Sequence, residues 1–174
     1  YMLGESLLVA PVLSADGVVD YYLPAGRWTN ILNNTIIEGG RWVRETHGYL
    51  SLPLLAGPNS NIAVGANDQK PDYDFADGVT FHLFELDDGN TTSARVPTIK
   101  GETALTVTTK RTGQQIQVNV EGASDNWSLL LRNIDGVQSV DGGTTQADPQ
   151  GTRVVPGAGS QTLTIHLINP CEGF

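Results

Sequence analysis

Apolar and polar residues alternate strictly in Gln115-Ile116-Gln117-Val118-Asn119-Val120 and again in Thr162-Leu163-Thr164-Ile165-His166-Leu167. This is the spacing of a strand that buries one face and wets the other. Apolar and β-branched runs predict further strands over residues 7–13, 18–23, 41–43, 49–55, 80–86, 104–109, 127–132 and 153–155. No window places apolar residues at helical spacing, so the expected fold class is all-β.

Five Asp-Gly pairs, at 16–17, 77–78, 88–89, 135–136 and 141–142, punctuate these runs. Each supplies residues that tolerate positive φ in a tight turn. Short strands between such turns imply β-sandwich packing. The stretch Gly65-Ala66-Asn67-Asp68-Gln69-Lys70-Pro71-Asp72 lacks an apolar anchor and reads as a connection, with a boundary near Lys70. Two small antiparallel β-sandwich domains in tandem are therefore expected, over 1–70 and 71–174. The Gly-, Thr- and Gln-rich residues 141–151 predict a mobile loop.

Composition sharpens this picture. Twenty glycines and nine prolines in 174 residues disfavour long helices, and the length suffices for one good core or two small ones. Ten Lys and Arg against 19 Asp and Glu give a net charge of −9, which repels a nucleic-acid duplex or an anionic membrane. No nucleic-acid or membrane partner is expected, and the longest apolar run, 7–13, falls well short of the ~20 residues that span a bilayer. The single Cys171 excludes an intrachain disulfide and a Cys-rich zinc site. Tyr1-Met2-Leu3-Gly4 offers neither initiator Met nor signal-peptide core, so the chain is expected to begin inside a larger protein. Sequons at Asn33, Asn90 and Asn126 lean towards secretion.

The search for chemistry yields no catalytic, cofactor-binding or metal-ligating residue. There is no Gly-x-Ser-x-Gly elbow, no Gly-rich phosphate loop and no His-Glu-x-x-His pair. His82 and His166 fall in strand patterns and read as hydrogen-bonded structural residues, whereas His47 reads as a surface or interface residue. Asp72, Asp74 and Asp77 imitate the start of a calcium loop, but Ala76 takes a ligand position and the closing Glu is missing. Asp87 and Asp88 are neighbours in a turn and cannot oppose each other across a glycosidic bond. Trp28, Trp42, Tyr21 and Tyr22 could stack on sugar rings. The two tryptophans each follow a Gly-Arg pair, so packing in the core or at a domain interface is expected instead. The competing reading is a carbohydrate-binding module.

Several segments resemble glycoside hydrolase family 31. Tyr1-Met2-Leu3-Gly4-Glu5-Ser6-Leu7-Leu8-Val9-Ala10-Pro11-Val12, then Tyr22-Leu23-Pro24-Ala25-Gly26-Arg27-Trp28-Thr29 and Gly40-Arg41-Trp42, resemble the passage of such an enzyme from its catalytic barrel into its C-terminal sheets. Ser51-Leu52-Pro53-Leu54, Asn67-Asp68-Gln69-Lys70-Pro71-Asp72-Tyr73, Phe81-His82-Leu83-Phe84, Asp88-Gly89, and Asn126-Trp127 through Leu131-Arg132-Asn133 are more similar to the α-xylosidase branch than to the α-glucosidases. Leu55-Ala56-Gly57 stands where many members have Arg-Ala-Gly, and Glu5 where Asp is common.

The resemblance implies a parent with an N-terminal sandwich, a (β/α)8 barrel and two C-terminal sandwiches, of which this chain holds the last two. It implies a retaining mechanism with both catalytic aspartates on the upstream barrel, and hydrolysis of terminal α-xylosyl units from xyloglucan-type oligosaccharides. An α-glucosidase parent stays open, as does a homo-oligomer. No cofactor is implied. The upstream barrel is the implied partner, and the α-xyloside or α-glucoside substrate would be bound by the parent.

Overall fold

The computed structural model describes residues 1–122, 124 and 126–168; Cys171 lies outside them. Seventeen strands and no helix occur among the described residues. Close contacts divide the chain into two compact units, Tyr1–Pro58 and Asn59–Phe174.

The first unit carries β1 (Met2–Leu3), β2 (Leu7–Val9), β3 (Val18–Leu23), β4 (Arg27–Asn30), β5 (Ile36–Glu38), β6 (Arg41–Thr46) and β7 (Leu54–Ala56). Five of them form a sheet in the order β1-β2-β7-β4-β5, and β3 pairs with β6 as a two-stranded ribbon. Alternation along β3 sends Val19, Tyr21 and Leu23 inward and Asp20 and Tyr22 outward. The inward set packs with Val43 of β6 and with Leu8, Trp28 and Leu55 of the larger sheet, so one core joins both layers.

The strand expected over 7–13 is shorter than its apolar run. β2 stops at Val9, because Pro11 has no N–H to give a ladder, and Leu13 is left 91% exposed. The strand expected over 49–55 is likewise only Leu54–Ala56. Ahead of it the chain turns, the Ser51 N–H donating to the Gly48 carbonyl at 3.1 Å, and Tyr49 and Leu50 stand fully in solvent. Apolar character there predicts burial that the unit does not itself supply.

The second unit pairs two five-stranded sheets. One runs β10 (Thr91–Pro97), β11 (Thr103–Thr112), β12 (Gln115–Gly122), β17 (Thr162–Leu167), β14 (Val137–Asp141). The other runs β15 (Gly143–Asp148), β16 (Gly151–Pro156), β13 (Trp127–Arg132), β9 (Val79–Phe84), β8 (Ser60–Val64). Phe81, Leu83, Leu129 and Leu131 meet Leu105, Val107, Ile116, Val118 and Ile165 across the gap. The two segments with the cleanest alternation, β12 and β17, lie side by side in register, Ile116 opposite Ile165 and Val118 opposite Leu163. Both sandwiches are antiparallel except at one ladder, where β9 and β13 run parallel. A parallel neighbour cannot be reached by a hairpin; here the chain crosses over, building β10, β11 and β12 in the facing sheet before it returns.

Two expectations are corrected. The contacts part at Pro58/Asn59 and not near Lys70, because β8 pairs along its length with β9, from Ser60 opposite Phe84 to Val64 opposite Thr80. Residues 65–72 are a turn within the second unit, where the Asn67 carboxamide oxygen accepts from the Gln69 and Lys70 N–H groups. Nor are residues 141–151 an irregular loop. Gly142 turns the chain with a φ of 84°, and β15 then pairs with β16 from Gly143 opposite Pro156 to Asp148 opposite Gly151. β15 is an edge strand with almost no buried position, so it needs no apolar residues and its pattern is silent.

Candidate functional site

Of the five carboxylates singled out by spacing, Asp74, Asp77, Asp87 and Asp88 are hydrogen-bonded within or between turns. The Asp87 carboxylate accepts from the Asn59 carboxamide at 2.9 Å, while the Asp87 N–H donates to the same side chain at 2.7 Å. Asp88 accepts from the Gly113 N–H. Asp74 accepts from the Ala76 N–H, and Asp77 from the Asn126 carboxamide at 2.7 Å. Such bonds hold reversals in place. Among the described residues, no three His, Cys, Asp or Glu side chains gather as a metal would need.

The densest polar cluster lies on the face of β9, β13, β15 and β16 turned away from the core. Because Phe81, Leu83, Leu129 and Leu131 point inward, alternation turns Thr80, His82, Phe84, Ser128 and Arg132 the other way. Arg132 is fully buried; it donates to the His82 Nδ1 at 3.0 Å, and its guanidinium lies 5.0 Å from the Phe84 ring centre. Arg153 donates to the Thr80 and Ser128 hydroxyls and pairs with Asp148 at 2.9 Å.

Electrostatics fix the roles. Burial, reinforced by the charges of Arg132 and Arg153, pushes His82 down to about 4. At neutral pH the ring is uncharged, with its proton on Nε2 and its Nδ1 lone pair committed to Arg132. It is an acceptor that seats a buried cation, not a general base. Asp148 is held below the usual carboxylate range by the Gln150 N–H and by Arg153. The expectation of hydrogen-bonded strand histidines thus holds for His82, and for His166, which lies 2.9 Å from Asp141. Arg132, Arg153 and Asp148 were not anticipated. Ser128 and Arg132, on one face of an otherwise apolar strand, are the signal that could have found Arg132.

In the first unit, a pocket of about 510 Å³ is lined among others by Tyr1, Val9, Pro11, Asp16, His47 and Tyr49. His47 joins a hydrogen-bonded line. Its Nδ1 lies 3.0 Å from the Ser51 hydroxyl and its Nε2 3.1 Å from Glu45, whose Oε2 also accepts from the Tyr21 hydroxyl at 3.1 Å. Burial, then the Glu45 charge, raise the Tyr21 hydroxyl, so it stays a donor. The turn at Asp16-Gly17 presses on the same residue: a Cβ at Gly17 would run into the His47 carbonyl, and the φ of 76° is one that glycine adopts freely. The line ties residues 47–51 to β3 and β6.

The four aromatics divide. Trp28 is 6% exposed and donates to the Pro24 carbonyl at 2.9 Å, and Tyr21 is buried beside it in the core. Trp42 and Tyr22 are 71% and 51% exposed. They face each other across β3 and β6 with ring centres 5.9 Å apart at 70°. The packing expectation holds for the first pair; the second pair pack on each other and stay largely in solvent.

Comparison with known proteins completes the picture. Residues 74–167 match the family described as the C-terminal domain of alpha-xylosidase YicI, and residues 1–62 match the glycosyl hydrolase family 31 C-terminal domain. An alpha-xylosidase, XylQ, of Lactiplantibacillus pentosus is 34% identical over 152 residues, covering 80% of this chain and 20% of the relative. An alpha-xylosidase of Emericella nidulans is 40% identical over 87 residues, 45% of this chain and 11% of that protein. The chain therefore spans about a fifth or less of the length of these relatives. The fold is shared with the family 31 dextranase of Flavobacterium johnsoniae, with a TM-score of 0.72 at 20% identity over 94% of this chain and 26% of that one. It is shared also with a cycloalternan-forming enzyme of Listeria monocytogenes, with a TM-score of 0.76 at 19% identity over 95% of this chain and 18% of the other. Two β-sandwich units, matched one after the other by C-terminal domains of a single enzyme family, make this chain a member of the C-terminal region of glycoside hydrolase family 31.

Proposed function

We propose that this chain is the non-catalytic C-terminal scaffold of a retaining α-glycosidase that removes terminal α-xylosyl units from xyloglucan-type oligosaccharides. The match of residues 74–167 to an α-xylosidase C-terminal domain carries this reading, and the two α-xylosidase relatives support it. The carboxylates favour it as well. Retaining hydrolysis needs two opposed carboxyl groups ~5–5.5 Å apart, and the adjacent pair Asp87 and Asp88 is engaged in turns. In this reading both catalytic aspartates belong to a barrel upstream.

The first unit suits a scaffold. Tyr1, Leu3, Leu13, Tyr49 and Leu50 are exposed apolar residues, and a barrel laid against them would cover what the unit does not cover itself. An interface of ~1,000 Å² or more is the size a stable contact takes. The test is turnover of aryl α-xyloside and aryl α-glucoside by the protein with its barrel and by this chain alone. The barrel-bearing protein is expected to prefer the xyloside and the chain to cleave neither. Turnover by the purified chain would overturn the scaffold role, and preference for the glucoside would overturn the α-xylosidase assignment.

A further inference from the structure

The outer face of the β3–β6 ribbon combines features that a packing role leaves unused. Register places Tyr22 opposite Trp42 and, two residues along, Asp20 opposite Arg44, so two aromatic rings and an ion pair share one face about 7 Å apart. Alternation has already sent Tyr21 and Val43 to the core; the aromatic residues that remain outside are adjacent and paired.

The rings meet at 70°, so they form a corner, one ring as floor and the other as wall. An aromatic face attracts the C–H bonds of a pyranose ring, and each aromatic brings large contact area at the entropy cost of two torsions. The corner accommodates a single sugar residue better than a long flat strand. Beside it, Asp20 and Arg44 stand 3.5 Å apart with side chains 54% and 72% exposed. So open a pair holds itself only weakly, and it keeps donors on the guanidinium and acceptors on the carboxylate for sugar hydroxyls. The net charge of −9 repels acidic polysaccharides and leaves neutral ones.

We propose that Tyr22 and Trp42, flanked by Asp20 and Arg44, form a binding site for a neutral oligosaccharide. The site would hold a glycan near the enzyme without touching the bond that is cleaved. It stands independently of the α-xylosidase assignment, because binding is read without turnover.

The test is migration of the chain through native gels containing xyloglucan or dextran, followed by calorimetric titration with oligosaccharides of whichever retards it. Retardation by at least one of the two is expected, and the pair of gels distinguishes a β-glucan backbone bearing xylose from an α-glucan. Trp42→Ala is expected to weaken binding about ten-fold or more, the effect of losing a contact of ~1.4 kcal/mol, and Arg44→Ala by a smaller factor. Trp42→Phe should recover part of the loss. Melting temperatures separate lost contact from lost fold. Should Trp42→Ala melt early, Tyr22→Ala and Arg44→Ala carry the test. No retardation by either glycan, or retardation that survives both Trp42→Ala and Tyr22→Ala, overturns the site.

Discussion

The two units solve the same packing problem to different depths. In the second, two five-stranded sheets close on a continuous aliphatic and aromatic core, and among its described residues the large apolar side chains left in solvent are Val64, Ile99 and Ile168. In the first, a five-stranded sheet meets only a two-stranded ribbon. Its core is smaller, and Tyr1, Met2, Leu3, Leu13, Tyr22, Trp42, Tyr49 and Leu50 are exposed. A layer of two strands cannot cover a layer of five. The difference teaches that the second unit completes its own core, whereas the first leaves a broad set of apolar side chains that it does not itself cover.

The largest effects should come from the cores. Phe81→Ala empties a fully buried site of the second unit and is expected to cost about 3–5 kcal/mol in urea unfolding. Trp28→Ala should cost about as much in the first unit, since it also removes the bond to the Pro24 carbonyl. A loss below about 1 kcal/mol at Trp28 would mean that the smaller core is not a core at all, and the contrast between the units would deepen.

An intermediate effect is expected from pH. His82 is pushed down to about 4 in the folded chain against ~6.5 unfolded. Between those values the unfolded chain binds the extra proton, so stability rises with pH across this window and is lost as pH falls through it. Partial exposure reduces the full difference to about 2 kcal/mol. His82→Gln should flatten unfolding free energy measured between pH 7 and pH 4; an unchanged slope would show that the Arg132 cluster does not hold the ring neutral. The smallest effects belong to the exposed surface of the first unit. Tyr49→Ser and Leu50→Ser should change the unfolding free energy of this chain by no more than about 0.5 kcal/mol. A larger loss would mean that the Tyr49 and Leu50 side chains pack against the unit, and would break the comparison at its base.

Legibility in the sequence followed burial. β12, β13 and β17 were plain because one face of each enters a core, and the five Asp-Gly turns were plain because each glycine adopts a positive φ of 73° to 84°. β15 was invisible because an edge strand of Thr, Gln and Ala owes nothing to hydrophobicity. Over 7–13 and 49–55 the reverse occurred: apolar residues announced strands, yet Pro11 cut one short and Leu13, Tyr49 and Leu50 lie outside the unit's own packing. The candidate sites were less legible still. Trp28 and Trp42 follow identical Gly-Arg pairs, but one faces the core and the other solvent. That choice depends on pairing partners distant in the chain.

The parallel ladder between β9 and β13 also sets a timetable. β9 ends at Phe84 and its neighbour β13 begins at Trp127, so during synthesis β9 has β8 on one side and nothing on the other until the intervening hairpins have emerged. Contacts that distant are slow to form, and an open strand edge invites pairing with the wrong chain. A nascent polypeptide that stalls after β12 is thus more adhesive than one stalled before β9, and the open edge of β9 is covered only when Leu131 has found its place beside Leu83.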